Sequence, residues 1–152
     1  MVILHNTEGL HMNKWSVRLE SVILDDFKNV KHGEINLESK KNAYKASVLG
    51  LYGQNGSGKT ALIDSIDILR LALSGRRLPV KYADYINVGA DFASLKFLLL
   101  IKKENAQYHV WYEFCIRRDL RQEDFAPHSI DGSMEAVPKY KATLFDECLR
   151  FQ

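Results

Sequence analysis

Eight consecutive residues, Gly53-Gln54-Asn55-Gly56-Ser57-Gly58-Lys59-Thr60, carry the clearest chemistry in this chain. Gly53, four further residues and then Gly58-Lys59-Thr60 fit the spacing G-x-x-x-x-G-K-[ST], in which a loop curls around a phosphate between an apolar strand and a helix. Glycines let successive N–H groups turn inward, where a Cβ would obstruct them. A helix starting near Gly58 would offer the anion its unpaired N–H groups and the positive end of its dipole. Lys59 is then the candidate catalytic residue, reaching the β- and γ-phosphates as a flexible point charge, and the Thr60 hydroxyl is the candidate ligand for Mg²⁺. The whole segment from Gly53 to Ala61 is the candidate binding site for ATP.

Such a loop needs elements to hold it. Ser47 to Tyr52 is a short apolar run suited to a central strand buried on both faces. From Lys59 to Leu73, Leu62, Ile66, Leu69 and Leu73 recur at helical spacing, with Ala61, Ile68 and Ala72 widening the stripe. Asp64, Asp67 and Arg70 fall on the polar side, and Gly75 is placed to end the helix. Upstream, Trp15 to Leu24 alternates as a half-buried strand, Asp25 to Asn29 interrupts it, and Gly33 to Glu38 resumes with Ile35 and Leu37. Downstream, Leu95 to Lys102 and Gln107 to Arg117 read as a β-hairpin around a turn at Lys103 to Ala106. Its second strand carries the unbroken period-two face Tyr108, Val110, Tyr112, Phe114 and Ile116.

The remaining segments have weaker patterns. Residues 1–14 read as a loose extension, Glu38 to Lys45 as a polar loop, and Gly75 to Ala93 as a loop whose tyrosines pack against the domain. Residues 119–152 read as a loop followed by a last alternating stretch, Thr143 to Phe151, inside which the sequence stops. The domain expectation is thus 1–14, 15–118 and 119–152.

The 152 residues suffice for one buried core, and 46% apolar with 26% charged residues is an ordinary globular composition. A net charge of +2 gives no general argument for nucleic acid. No apolar stretch approaches the roughly 18 residues of a membrane span, so a soluble cytoplasmic protein is expected. Cys115 and Cys148 form no C-x-x-C pair and the five histidines are scattered, which suggests neither a disulfide framework nor a zinc site.

The string Gly53 to Thr60 resembles the G-x-N-G-S-G-K-[ST] variant found in ABC-type ATPase heads, most of all the RecF/SMC/OLD-like AAA family ATPases of DNA repair and phage defence. Leu24-Asp25-Asp26-Phe27-Lys28-Asn29-Val30 is similar to the "NF-[RK]-[NS]" stretch of those proteins. The resemblance implies that Lys28 and Asn29 lie beside the nucleotide; read without it, the pair is a surface β-turn. Family heads also use an aspartate–glutamate pair after an apolar strand, which Asp146-Glu147 imitates, and a signature loop, for which Ser129-Ile130-Asp131-Gly132-Ser133 is a poor fit. Otherwise Asp146-Glu147 is the acidic edge of a strand.

These readings converge on an α/β fold: a P-loop NTPase of ABC-head type, represented by an N-terminal lobe with a β-rich subdomain. The expected function is ATP binding, with Mg²⁺-dependent hydrolysis once a C-terminal lobe and a partner head complete the site. The implied partners are a second head, forming a homodimer, and DNA or a nuclease or effector protein. The alternative is a truncated nucleotide-binding or interaction module without turnover.

Overall fold

A computed structural model describes residues 15–37, 50–103, 106–120 and 140–151. The expectations for 1–14, Glu38 to Lys45, Ser47 to Leu49, the centre of the turn at 104–105 and the signature-like Ser129 to Ser133 lie outside the described residues.

Five strands, β1 (Trp15–Phe27), β2 (Val30–Asn36), β3 (Phe92–Lys103), β4 (Ala106–Leu120) and β5 (Tyr140–Phe151), form one sheet in the order β2-β1-β3-β4-β5. Every pairing is antiparallel. A single α-helix, α1 (Lys59–Leu73), and a 3-10 helix at Val80–Tyr85 complete the described elements.

This overturns the expected α/β P-loop NTPase fold with its ABC-type head. Such a fold needs a strand entering the loop from within a largely parallel sheet, whereas Gly50 to Gln54 has no strand pairing. Strands take 57% of the described residues and helices 20%, and no described strand has a parallel neighbour. The short apolar run before the loop imitates a buried strand in composition, but composition does not supply a ladder partner.

Alternation along β3 and β4 accounts for the core. Leu95, Phe97, Phe114 and Ile116 are almost wholly buried on one face, opposite Val22 and Leu24 of β1. Phe97 and Phe114 stack with centroids 5.8 Å apart. On the other face the charges pair across strands: His109 with Glu20 at 3.3 Å, Lys96 with Glu113 at 3.9 Å, and Arg150 with Glu113.

Helix α1 spans the expected residues, but the buried positions are Ala61, Leu62, Ser65, Ile68, Leu69 and Leu71, while Ile66 and Leu73 are exposed. Ala61, Leu62, Ile68 and Leu69 of the expected stripe are buried, and buried Ser65, whose hydroxyl donates to the Leu62 carbonyl at 2.7 Å, shifts the covered face away from Ile66 and Leu73. Gly75 ends it as expected: its N–H donates to the Ala72 carbonyl and the Arg76 N–H to the Leu71 carbonyl, the paired bonds of a Schellman stop.

The segment after α1 is tied down from both sides. Tyr82 is fully buried and its hydroxyl donates to Asp67 of α1, while the Arg118 guanidinium donates to the carbonyls of Ala83 and Ile86 at 2.8 Å each. The Tyr82 bond and Arg70 hold the Asp67 carboxyl below the usual carboxylate range. Burial, with Asp67 beside it, pushes the Tyr82 phenol well above its usual range; burial and the bond to Glu147 do the same for Tyr112.

A pH dependence follows. Above about pH 10 an unfolded chain releases tyrosine protons that the folded chain keeps, so this stabilisation is complete below that pH and is lost as pH rises. Tyr82→Phe removes one of the two phenols involved and one bond to Asp67. Urea midpoints should show the variant weaker than wild type at neutral pH but losing less between about pH 9 and pH 11. Parallel alkaline losses in both proteins would contradict the assignment.

Candidate functional site

The loop is positioned by the hairpin of β1 and β2 as much as by its own glycines. Phe27 pairs with Val30, so Lys28 and Asn29 form a two-residue turn, rather than the longer interruption from Asp25 to Asn29 that the sequence suggests. Lys28 has φ +55, an uncommon conformation for a residue with a Cβ. Contacts on both sides hold it. Its N–H donates to the Tyr85 carbonyl at 2.5 Å, and its carbonyl accepts from the Asn87 side chain at 2.8 Å. The Asn87 N–H donates to Asp26, and Phe27 forms an antiparallel bridge with Ile86.

Both side chains of the turn face the loop and its helix. The Lys28 ammonium lies 2.5 Å from an Asp64 oxygen of α1 and 4.2 Å from the centroid of the Tyr85 ring. The Asn29 amide donates to the carbonyl of Gly56 within the loop. Val30, the next residue, packs against two glycines. A Cβ built on Gly58 would stand 3.0 Å from Val30 Cγ2, and one on Gly33 would stand 2.9 Å from Val30 Cγ1.

Gly58 must be glycine for a second reason. It caps α1 at φ +88, the left-handed region, and no side chain caps the helix start. The helix therefore presents first-turn N–H groups to whatever sits in the loop. The Lys59 ammonium folds back over that space, donating to the carbonyls of Gly53 and Gln54 at 2.7 Å each and to the Ser57 hydroxyl at 3.2 Å. A Cβ on Gly53 would come within 2.8 Å of the Ser57 hydroxyl, so a side chain there would fill the cradle.

Among the remaining candidates, Thr60 is exposed on the first turn of α1 beside Lys59. Ala61 is buried, so only its backbone can serve an anion. Gln54 closes the start of the loop by accepting from the Ser57 N–H at 3.2 Å, and Asn55 is exposed at its tip.

A cleft of about 590 Å³ opens beside the loop. It is lined by the apolar Val22, Leu24, Val30, Ile35, Leu51 and Leu62 and by the polar or charged Asn29, Lys31, His32, Glu34, Ser57 and Lys59.

Asp146 and Glu147 are not part of this site. They lie on β5, at the opposite edge of the sheet from β2, about 19 Å away for four strand spacings of ~4.8 Å. Asp146 sits at φ +54, where the pairing of β4 with β5 shifts register, and Glu147 accepts from the Tyr112 hydroxyl.

Asp64, Val30, Tyr85 and Asn87 complete the site without having stood out in the sequence. Gly33 inside a strand was the one available signal, because an isolated strand glycine marks a close approach. Asp64 looked like any solvent-facing helix carboxylate. Nothing in sequence pairs it with a lysine 36 residues earlier.

Compared with protein-family profiles, curated proteins and solved structures, the chain matches none. Among the described residues no helix is long and apolar enough to cross a membrane.

The Val30 contact gives a direct test of how the loop is seated. Gly58→Ala should destabilise the fold by about 1–2 kcal/mol through the left-handed φ alone, with the contact adding to it. Adding Val30→Ala should relieve the contact but not the backbone strain. In urea titrations the double variant should therefore be less destabilised than the sum of the singles, by ~1 kcal/mol. Strict additivity would mean that Val30 does not support the loop.

Proposed function

We propose that this chain binds ATP, with Mg²⁺, at the loop from Gly53 to Ala61. The observation that carries the reading is the seat of Lys59: a cation held over a glycine loop at the uncapped start of a 15-residue helix. Each part favours an anion, and together they favour a chain of phosphates. All three ammonium protons of Lys59 have loop oxygens as partners, the 3.2 Å contact to Ser57 being the longest and the easiest to exchange for a phosphate oxygen. The Thr60 hydroxyl would hold Mg²⁺, which offsets the charge of the bound phosphates. The nucleoside would occupy the cleft beside the loop, which Asn29 also lines.

Lys28 has a positioning part in this reading. Its ammonium is engaged by Asp64 and Tyr85, so it sets the distance between the hairpin and α1. Hydrolysis is a separate requirement. It needs a placed water and charge stabilisation besides a cradle, which a second head and further protein would supply. Asp64 is committed to Lys28, and Asp146-Glu147 lie at the far sheet edge, which favours binding without turnover for this chain on its own. A cytoplasmic role in DNA repair or phage defence, with DNA or an effector protein as partner, rests on the motif alone.

Two measurements test this. Lys59→Ala should weaken binding of labelled ATP by at least ~100-fold, since the triphosphate loses its one cation from the loop, and Lys28→Ala should weaken it less. Thr60→Ala should mainly reduce the gain in affinity that Mg²⁺ brings. Equal ATP affinity of wild type and Lys59→Ala would end the proposal. Separately, the chain alone should turn over ATP at background rate. Robust Mg²⁺-dependent hydrolysis that disappears in Glu147→Gln would reverse the reading of Asp146-Glu147.

A further inference from the structure

Tyr52 stands directly ahead of Gly53, the first residue of the loop, and at 95% it is the most exposed aromatic side chain among the described residues. A single apolar side chain in water needs no explanation by itself. The position of this one sets it apart. It lines the cleft beside the loop together with Gly56, Ser57, Gly58 and Lys59, and among the described lining residues it is the one phenylalanine, tyrosine or tryptophan.

The ring is also seated. A Cβ built on Gly50 would come within 2.7 Å of Tyr52 Cε2 and 3.3 Å of its Cζ and hydroxyl oxygen, so one edge of the ring rests against bare backbone. Gly50 is not in the left-handed region, and room for the ring is therefore what a glycine supplies there. With an edge held and nearly all of its surface in water, the ring has less freedom to lose than a loose side chain when a flat partner covers it.

We infer that Tyr52 is the stacking platform for the base of the bound nucleotide, and that the site takes purine nucleoside triphosphates in preference to pyrimidine ones. This rests on the reading of Gly53 to Ala61 as a nucleotide site. Lys59 and the start of α1 attract the phosphates of any nucleotide, and inorganic tripolyphosphate as well, so the loop alone does not select a base. A ring joined to its first residue does. Every base has a π-face for an aromatic side chain, and a purine offers the larger one. Stacking reads that area and not the donors and acceptors of the base edge, so it separates purine from pyrimidine without separating adenine from guanine.

Titrations of the full chain with ATP, UTP and inorganic tripolyphosphate, each with Mg²⁺, separate the ring from the cradle. Tyr52→Ala should weaken ATP binding about tenfold and leave tripolyphosphate within about twofold of wild type, since a base stacked on an aromatic side chain contributes a factor of that order. Tyr52→Phe keeps the ring and should bind ATP like wild type. Wild type should prefer ATP to UTP, and Tyr52→Ala should lose most of that preference. Truncating so exposed a side chain leaves no cavity, so urea midpoints of the variants should match wild type. If Lys59→Ala loses ATP while Tyr52→Ala binds it like wild type, the cradle stands and the inference is overturned. A Tyr52→Ala variant that loses ATP and tripolyphosphate in equal measure overturns it too, because Tyr52 would then shape the loop and touch no base. Equal ATP affinity of wild type and Lys59→Ala would end the nucleotide site itself, and this inference with it.

Discussion

The contact on which the candidate site depends is the two-residue turn Lys28-Asn29 wedged between the glycine loop ahead of α1 and the segment Tyr85 to Asn87. A lysine at φ +55 costs on the order of 1 kcal/mol and persists only where its surroundings determine it. Here both of its backbone groups are bonded by the segment ahead of β3, and its ammonium is bonded to α1 and stacked on Tyr85. One turn thus joins the end of β1, the start of α1 and the entry to β3. Val30 follows at once and fills the space that Gly33 and Gly58 leave. The loop is therefore held to the sheet edge by packing and hydrogen bonds, in the place where a central strand would have held it.

How far the sequence discloses this depends on how local each signal is. α1 is legible because its period, its phosphate-loop start and its glycine stop all lie within 23 residues, from Gly53 to Gly75. The β3–β4 hairpin is legible because a long period-two run on β4 has few other interpretations. β1 reads short because Asp25 and Asp26 look like a break, yet Asp25 keeps the alternation on the water side, paired with His32 at 2.6 Å, and Phe27 is wholly buried. β5 starts at Tyr140, three residues before the alternation shows, because Tyr140 and Lys141 are both exposed. The fold class misleads for a related reason: a phosphate loop suggests the sheet it usually accompanies, and sheet direction depends on partners far away in sequence. The family resemblance implies only that Lys28 and Asn29 lie beside a nucleotide; their contacts with Asp64, Tyr85 and the Gly56 carbonyl needed three dimensions. The same holds for Val30.

Binding phosphate and hydrolysing it place different demands on a fold. Anion binding is short-ranged. It draws on consecutive N–H groups, the first turn of one helix and one cation, all within about ten residues of chain. This chain has a glycine loop, a helix start without a side-chain cap and the Lys59 ammonium within that span. Water activation calls on side chains from other strands, and its geometry is lost when a carboxylate moves by even an ångström or two. β5 is separated from β2 by three strands, so Asp146 and Glu147 lie at the sheet edge opposite the hairpin that holds the loop.

The state of Lys59 bears on how costly binding would be. Its ammonium is satisfied by the carbonyls of Gly53 and Gln54, so the charge is already drawn into the loop and the side chain need not be ordered again for a phosphate. Those carbonyls belong to exposed residues, and water can take over any bond the lysine gives up. Asn29 works in the same direction from the outside, fixing the Gly56 carbonyl so that the peptide plane at the centre of the loop is set before a ligand arrives. A loop fixed at Gly56 by the hairpin, at Gly58 by Val30 and at its mouth by its own lysine has few conformations to lose. The entropy that glycines would otherwise forfeit on binding is largely spent during folding.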